Sequence, residues 1–337
     1  MSDILVVESQ THPVRTEIVN AAVGGLEIDV LTLERGSVGA DVEPEIIDAL
    51  DDHAALYFRT GRVSHRLLDA HPRLSFVITH GSGTDHVDVE AATAHGVAVV
   101  HTPEGPGPAV VEHTLGLMIA LLREFPSRIN ATSRGEWSNA QGTVPELGEL
   151  TVGIVGLGTI GLGVARALGP LGVEVIGFDP YVTGERESPR YPRYDRATVE
   201  DAGVTLVGLS RLFERVDLVS VHVPLTEHTR EMIGEAELAT LDDGYLVNVA
   251  RGDVIDESAL VDAADHLGGV ALDVLSTEPP DPDDPLLSHP NILVTPHVAA
   301  STDGYLKRSA TSAGETLRTL FDGGRVDTIV NPAALQE

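Results

Sequence analysis

The sequence predicts an α/β protein made of two doubly wound parallel-sheet domains, and three observations carry that expectation. Short β-branched runs alternate with polar, helix-like stretches through the first hundred residues and again after Leu150. Proline and glycine crowd the segment between the two series. The chain, 337 residues at 42% hydrophobic, exceeds what a single core usually organises.

In chain order, the first series of strands is ILVV at 4–7, EIDVLTL at 27–33, AALYFR at 54–59, FVITH at 76–80 and VAVVHTP at 97–103. HTPEGPGP at 101–108 marks a crossing between domains, and an apolar helix is predicted from Ala109 to about Phe125. That helix contains Glu112, His113 and Arg123 and is too short to span a bilayer, so it is expected to be buried. The second series is TVGIVG, EVIGFD, DLVSVHV, YLVNV, GVALDV and ILVTP. Between its members, residues 182–203 are long for a connection inside a nucleotide fold and read as a surface loop with arginines at 186, 190, 193 and 196. A last helix is predicted from about Ala299 to Phe321, with Gly323 and Gly324 ending it, and it could pack back on the first domain.

Charge narrows the function classes. The 52 acidic residues against 22 basic ones give a net charge of −30, and Lys307 is the sole lysine. Such a surface repels nucleic acid and anionic membrane, so neither is an expected partner. An acidic, lysine-poor surface suits a protein kept soluble in concentrated salt, which points to a halophilic cytoplasm. Any pocket for an acid must then supply its own positive charge. With no cysteine there is no disulfide frame or thiolate nucleophile, and no metal site is expected. The opening MSDILVVESQ does not resemble an export signal.

Gly156-Leu157-Gly158-Thr159-Ile160-Gly161 follows an apolar strand and opens a helical pattern, the setting in which G-x-G-x-x-G signals a dinucleotide. Gly156 permits the tight turn, Gly158 admits a pyrophosphate to the backbone, and Gly161 allows close packing of helix on strand. The helix start adds free N–H groups and the positive end of its dipole. Asp179, 18 residues beyond Gly161, closes the next strand and can accept hydrogen bonds from ribose hydroxyls. A 2′-phosphate would meet a like charge there, so NAD is the predicted cofactor and NADP the less favoured one. An arginine of the 182–203 loop folding back near Asp179 would weaken that preference.

The remaining unusual residues fall at the ends of successive strand patterns, where open parallel sheets bind ligands: Arg251 after LVNVA, Asp273 in ALDV, Glu278 five residues on, and His297 after ILVTP. Histidine suits proton exchange with a hydroxyl, a neighbouring carboxylate would orient the ring and favour its charged form, and an arginine fork can grip a 2-oxo acid. Taken singly, His297 could be a structural histidine and Glu278 a solvated one. Together, downstream of a nucleotide motif, they point to redox chemistry on a small acid.

The stretches ELGELTVGIVGLGTIGLGVARAL, VDLVSVHVPLTEHTREMI, GYLVNVARGDVIDESALVDA, GVALDVLSTEPP and HPNILVTPHVAAST resemble, in order and wording, the D-isomer specific 2-hydroxyacid dehydrogenases. The resemblance covers about residues 109–302, with a looser match through HGSGTDHVDVEAATAHGVAVVHTP. It implies a Rossmann NAD-binding domain, 103–298, inserted into a flavodoxin-like substrate domain, 1–102 with 299–337, and an active site in the cleft between them. It implies hydride transfer between NAD(H) and a D-2-hydroxy acid/2-oxo acid pair such as glyoxylate, hydroxypyruvate, 3-phosphoglycerate or a bulkier 2-oxo acid. In it Arg251 matches the substrate-binding arginine, His297 the acid/base, Glu278 its partner, and Asp273 the residue bonding the nicotinamide carboxamide. His222, Val223, Pro224 and Thr229, with Val249 and Ala250, match the surroundings of the cofactor. Ser82 and Gly83 match a loop whose amides receive the substrate carboxylate, and Arg59 is either a second anion contact or a surface ion pair.

Two stretches depart from the family pattern: EGPGPAVVEHT at 104–114 and the longer loop after Asp179. The chain stops at VNPAALQE, so feedback control through an appended regulatory domain is not expected. The resemblance also implies a homodimer, formed through the 109–125 helix and the segment after it, with Trp137 as an anchor. The alternative to an enzyme is an NAD(H)-sensing interaction protein on the same fold.

Overall fold

The structure, a computed structural model, describes residues 3–34, 42–81, 83–102, 107–187 and 194–335. It divides into two compact units, Met1–Pro106 with Ser301–Glu337, and Gly107–Ala300.

The first unit holds five strands: β1 (Ile4–Ser9), β2 (Ile28–Leu33), β3 (Ala55–Phe58), β4 (Phe76–Thr79) and β5 (Ala98–His101). All pair in parallel, in the order β2-β1-β3-β4-β5, the flavodoxin-like arrangement. Helices on both faces explain why β1 reads as a continuous apolar run. Its Leu5 and Val7 pack with Ile46 and Leu50, while Ile4 and Val6 pack with Ala310, Ala313 and Leu317 of the last helix. That helix runs Asp303–Phe321, four residues shorter at its start than expected, because the Thr302 side chain caps it by accepting from the Tyr305 amide at 3.1 Å. It lies tight on the helix Thr16–Ala22: a Cβ at Gly314 would stand 2.5 Å from Ala22 Cβ.

The second unit holds β6 (Thr151–Val155), β7 (Glu174–Phe178), β8 (Val204–Leu206), β9 (Leu218–Val221), β10 (Tyr245–Asn248), β11 (Gly269–Leu272) and β12 (Ile292–Val294). The sheet order is β12-β11-β10-β9-β6-β7-β8 and every pairing is parallel. The order reverses between β6 and β9, which is the switch point of a dinucleotide-binding fold. Val152 and Ile154 pack with Leu117, Met118 and Leu168 on one face; Val219, Val221, Leu246 and Val270 pack with Leu238 and Leu260 on the other.

Two elements differ from expectation. The helix after the Pro/Gly segment runs Gly107–Leu122 and stops because Glu124 adopts a left-handed conformation (φ 51°); Phe125–Ser133 then forms a separate helix. The 182–203 stretch is not all loop. Arg196–Asp201 is helical, capped by Asp195 accepting from the Thr198 amide at 2.8 Å and braced by an Arg196–Glu200 ion pair at 2.8 Å. Arg190 and Arg193 lie outside the described residues. Among the described residues no helix is long and apolar enough to cross a membrane.

Candidate active site

The register of the second sheet sets the site out in a line. Phe178, Val155, Val221, Asn248, Leu272 and Val294 pair across the sheet in one row, and each ends its strand. The residues just beyond that row are Asp179, Gly156, His222, Val249 to Arg251, Asp273 and Thr295 to His297. Hydrogen bonds prolong the ladder past the strand ends: His222 N to Val155 O at 2.8 Å, Asp273 N to Asn248 O at 2.9 Å, Thr295 N to Leu272 O at 2.8 Å, and His297 N to Asp273 O at 2.8 Å.

At the switch point the glycines have distinct reasons. Gly156 has φ +93° and a Cβ there would lie 2.7 Å from His222 O. A Cβ on Gly161 would sit 1.9 Å from Gly156 O. Gly158 precedes the helix Thr159–Leu168, in which Ile160 is half-buried, and nothing lies within 4 Å of where its Cβ would be. The protein's own packing therefore does not require glycine at 158, whereas an anion approaching the helix start does. Gly158→Ala should fold with a stability within about 1 kcal/mol of the parent, the helix-propensity scale, yet lose NADH affinity in a fluorescence titration. Unchanged affinity would remove the dinucleotide from this loop.

Asp179 accepts from Leu157 N and Tyr181 N, both at 3.0 Å, which fixes the carboxylate and leaves lone pairs for ribose hydroxyls. His222 Nε2 and Ser220 Oγ are 2.9 Å apart, while its Nδ1 is buried without a partner among the described residues. Burial pushes His222 down to about 3, so the ring is neutral. The open Gly158 position, the Asp179 acceptors and this unpaired nitrogen together fit a dinucleotide. Val223 lies against Gly156, and Thr229 Oγ1 donates to Pro224 O at 2.6 Å and accepts from Thr226 N at 2.8 Å, closing the turn beyond β9.

The depressed value of His222 has a sign. Between about pH 6.5 and 3 the unfolded chain binds a proton that the folded one refuses, so the stabilisation present above pH 6.5 is lost as pH falls, at roughly 1.4 kcal/mol per pH unit. Urea unfolding at pH 7 and pH 5.5 should show a difference about 1 kcal/mol smaller in His222→Asn than in the parent; equal differences would place the ring in solvent.

The turn after β10 is organised by Asn248, which is 1% exposed. Its Oδ1 accepts from Ala250 N at 3.0 Å and its Nδ2 donates to Arg251 O at 2.9 Å. Arg251 Nη1 donates to Ala250 O at 2.7 Å, and Val249 and Ala250 are buried beneath. His297 and Glu278 meet directly, with Nδ1 to Oε2 at 2.7 Å, and Glu278 Oε1 accepts from Leu275 N at 3.0 Å. His297 has φ +50°, a strained conformation for a residue with a side chain, costing on the order of 1–3 kcal/mol.

Asp273 offsets that strain. Its carboxylate, 1% exposed, accepts from Val298 N and Ala299 N, both at 2.9 Å, so it clamps the turn that carries His297. Burial raises its value, but the His113 ring 3.4 Å away and the hydrogen bonds from Thr295, Val298 and Ala299 outweigh that and hold the carboxyl below the usual range, ionised. Thr295 Oγ1 donates to Asp273 Oδ1 at 2.6 Å. Sequence reading missed Asn248, Thr295 and His113 as site residues; only the strand-end position of the first two signals them.

Arg59 and Gly83 belong to the first unit, and Ser82 lies outside the described residues. Gly83 is half-buried. Arg59 follows β3, is 8% exposed, donates to Pro13 O at 2.6 Å and stands 5.8 Å from the Tyr305 ring centroid, so it is not a surface ion pair.

A family model for the D-isomer specific 2-hydroxyacid dehydrogenase, NAD binding domain, matches residues 115–299. The chain is 35% identical over 293 residues to the glyoxylate reductase of Thermofilum pendens, a match covering 85% of this chain and 83% of that one. It is 35% identical over 292 residues to the D-3-phosphoglycerate dehydrogenase of Methanocaldococcus jannaschii, covering 85% of this chain and 53% of the relative. The chain thus spans about half the length of the 3-phosphoglycerate dehydrogenases it matches. In structure it is similar to D-lactate dehydrogenase from Aquifex aeolicus complexed with NAD and lactic acid, with a TM-score of 0.79, 26% identity, and 97% and 99% of the two chains covered. The protein belongs to the D-isomer specific 2-hydroxyacid dehydrogenase family.

Proposed function

We propose that the protein is an NAD(H)-dependent dehydrogenase interconverting a small 2-oxo acid and its D-2-hydroxy acid. The observation that carries this is the His297–Glu278 pair at 2.7 Å on the same sheet edge as Arg251 and a dinucleotide loop. Glu278 accepts a hydrogen bond from Nδ1–H, which leaves Nε2 to exchange a proton with substrate oxygen. The chemistry NAD(H) supplies when bound is two-electron redox at the carbon bearing that oxygen. In the reducing direction the carbonyl oxygen receives its proton from His297, and Glu278 stabilises the charged ring that holds it. Arg251 supplies the positive fork for the substrate carboxylate that a protein of charge −30 otherwise lacks, with Arg59, Ser82 and Gly83 as further substrate contacts. Small 2-oxo acids such as glyoxylate and hydroxypyruvate, bulkier 2-oxo acids, and 3-phosphoglycerate in the oxidising direction are the candidates; two relatives act on members of that set by name. The two units take the roles of substrate domain, with both chain ends, and NAD-binding domain.

The reading includes a homodimer in a halophilic cytoplasm. The net charge supports the second part, and exposed apolar side chains support the first: Phe125 is 44%, Ile129 63% and Trp137 68% exposed. Trp137→Arg should turn a dimer into a monomer on a sizing column in concentrated KCl; a parent protein that already elutes as a monomer removes the dimer.

The test of function is NADH consumption in concentrated KCl against a panel of 2-oxo acids, with NADPH in parallel. Turnover of one acid supports the reading. NADH binding with neither turnover of any 2-oxo acid nor NAD+ reduction by any D-hydroxy acid turns it toward a sensing role.

A further inference from the structure

One polar side chain near Asp273 has no role in the chemistry above. His113 lies on the helix Gly107–Leu122, whose Val110, Thr114, Leu117 and Met118 are buried, and it is 23% exposed. Its Nε2 is 3.2 Å from Thr295 Oγ1 and 3.4 Å from Asp273 Oδ1, across 182 residues of sequence in the first case.

The proton positions follow from the chemistry of the groups. An ionised carboxylate only accepts, so the Thr295 proton is committed to Asp273 Oδ1 at 2.6 Å. The Thr295 oxygen then has lone pairs to accept from His113, which must carry a proton on Nε2. Oδ1 takes the Thr295 O–H and the Val298 N–H, with His113 Nε2 at 3.4 Å on the same side, while Oδ2 takes the Ala299 N–H alone among the described residues. A carboxylate offers about four acceptor directions, so one remains, and it is on Oδ2.

We propose that His113 is a positioning residue for the nicotinamide end of the cofactor: through the Thr295 hydroxyl it pins the Asp273 carboxylate so that its free Oδ2 direction is held for an amide donor. The inference rests on the dinucleotide reading above, with Asp273 as the carboxamide acceptor. A histidine serving only to fill the helix face would bond a carbonyl of its own helix or point to solvent; this one addresses two groups of the site. His113 also places a donor beside a nearly inaccessible negative charge, where an extra hydrogen bond counts most.

The experiment is a titration of NADH fluorescence, with thermal unfolding of each apoprotein, on the parent, His113→Leu, His113→Gln, Thr295→Val and the Leu/Val double variant. His113→Leu keeps volume and loses the donor, and should weaken NADH binding roughly 10–100-fold, the scale of a hydrogen bond serving a charged group. His113→Gln, whose amide can donate from nearly the same place, should return to within about threefold of the parent. Thr295→Val should match His113→Leu, and the double variant should be no weaker than the weaker single, because both act through one chain of bonds. Parent-like binding by His113→Leu, equal weakness of Leu and Gln at 113, or multiplicative losses in the double variant would each overturn the assignment. Should His113→Leu not fold, the comparison of Gln at 113 with Thr295→Val carries the same test. A parent protein that fails to bind NADH indicts the dinucleotide reading instead.

Discussion

Replacing His297 by alanine should lower turnover about 10²–10⁴-fold while NADH affinity stays within a few-fold of the parent. The size follows from the loss of the ring held at Nδ1 by Glu278 with its other nitrogen left to exchange protons. Cofactor affinity should persist because the turn does not depend on the imidazole. Asp273 holds it through the Val298 and Ala299 amides, and the His297 amide itself donates to Asp273 O. Alanine tolerates φ +50° less well than asparagine, so His297→Asn separates loss of the base from backbone relaxation. Both variants should be equally inactive. Steady-state turnover and NADH titration measure the two quantities, and turnover that survives in either variant removes His297 from the reaction.

Gly252→Ala should reduce kcat/KM at least 100-fold and destabilise the protein by about 3 kcal/mol, at the upper end of overpacking. Gly252 is not among the residues of positive φ, so the cause is steric. A Cβ there would stand 2.0 Å from the Leu275 carbonyl carbon and 2.1 Å from Ser276 N, backbone atoms that cannot swing aside as a side chain can. The peptide it would strike leads to Glu278, and Ser276 N is held in turn by Glu257 Oε1 at 2.7 Å. One methyl group therefore pushes apart the turns that carry Arg251 and Glu278. Urea unfolding and steady-state kinetics check both effects; a variant with parent-like kcat/KM would show that those turns need not touch.

Both parallel sheets were legible because their inner strands are covered on two faces and read as apolar runs, as in ILVV. β8 was not, since Val204–Leu206 is three residues long at a sheet edge with one side chain in solvent. The helix Arg196–Asp201 was hidden for a related reason: RATVED buries only Val199, and its cap and ion pair are local signals without periodicity. In the site, residues that end apolar runs stood out, as Arg251, Asp273 and His297 did. Contacts made across the fold did not. His113 reads as one of a short polar run, Glu112 to Thr114, in an otherwise apolar helix, and nothing in its neighbourhood names Thr295. Asn248 looks like one more strand residue until its side chain is seen bridging its own turn.

β12, from which His297 hangs, is the outermost strand of its sheet, three residues long and half-exposed throughout. His297, the acid/base group proposed above, is thus mounted on a strand with a single neighbour, and Asp273, just past the end of the next strand inward, stitches it to the interior. Opening of that single rung would displace His297, and with it the proposed proton transfer, while the other six strands stay paired. The working range of the protein is then bounded by the local stability of its sheet margin, well before the limit set by the unit as a whole.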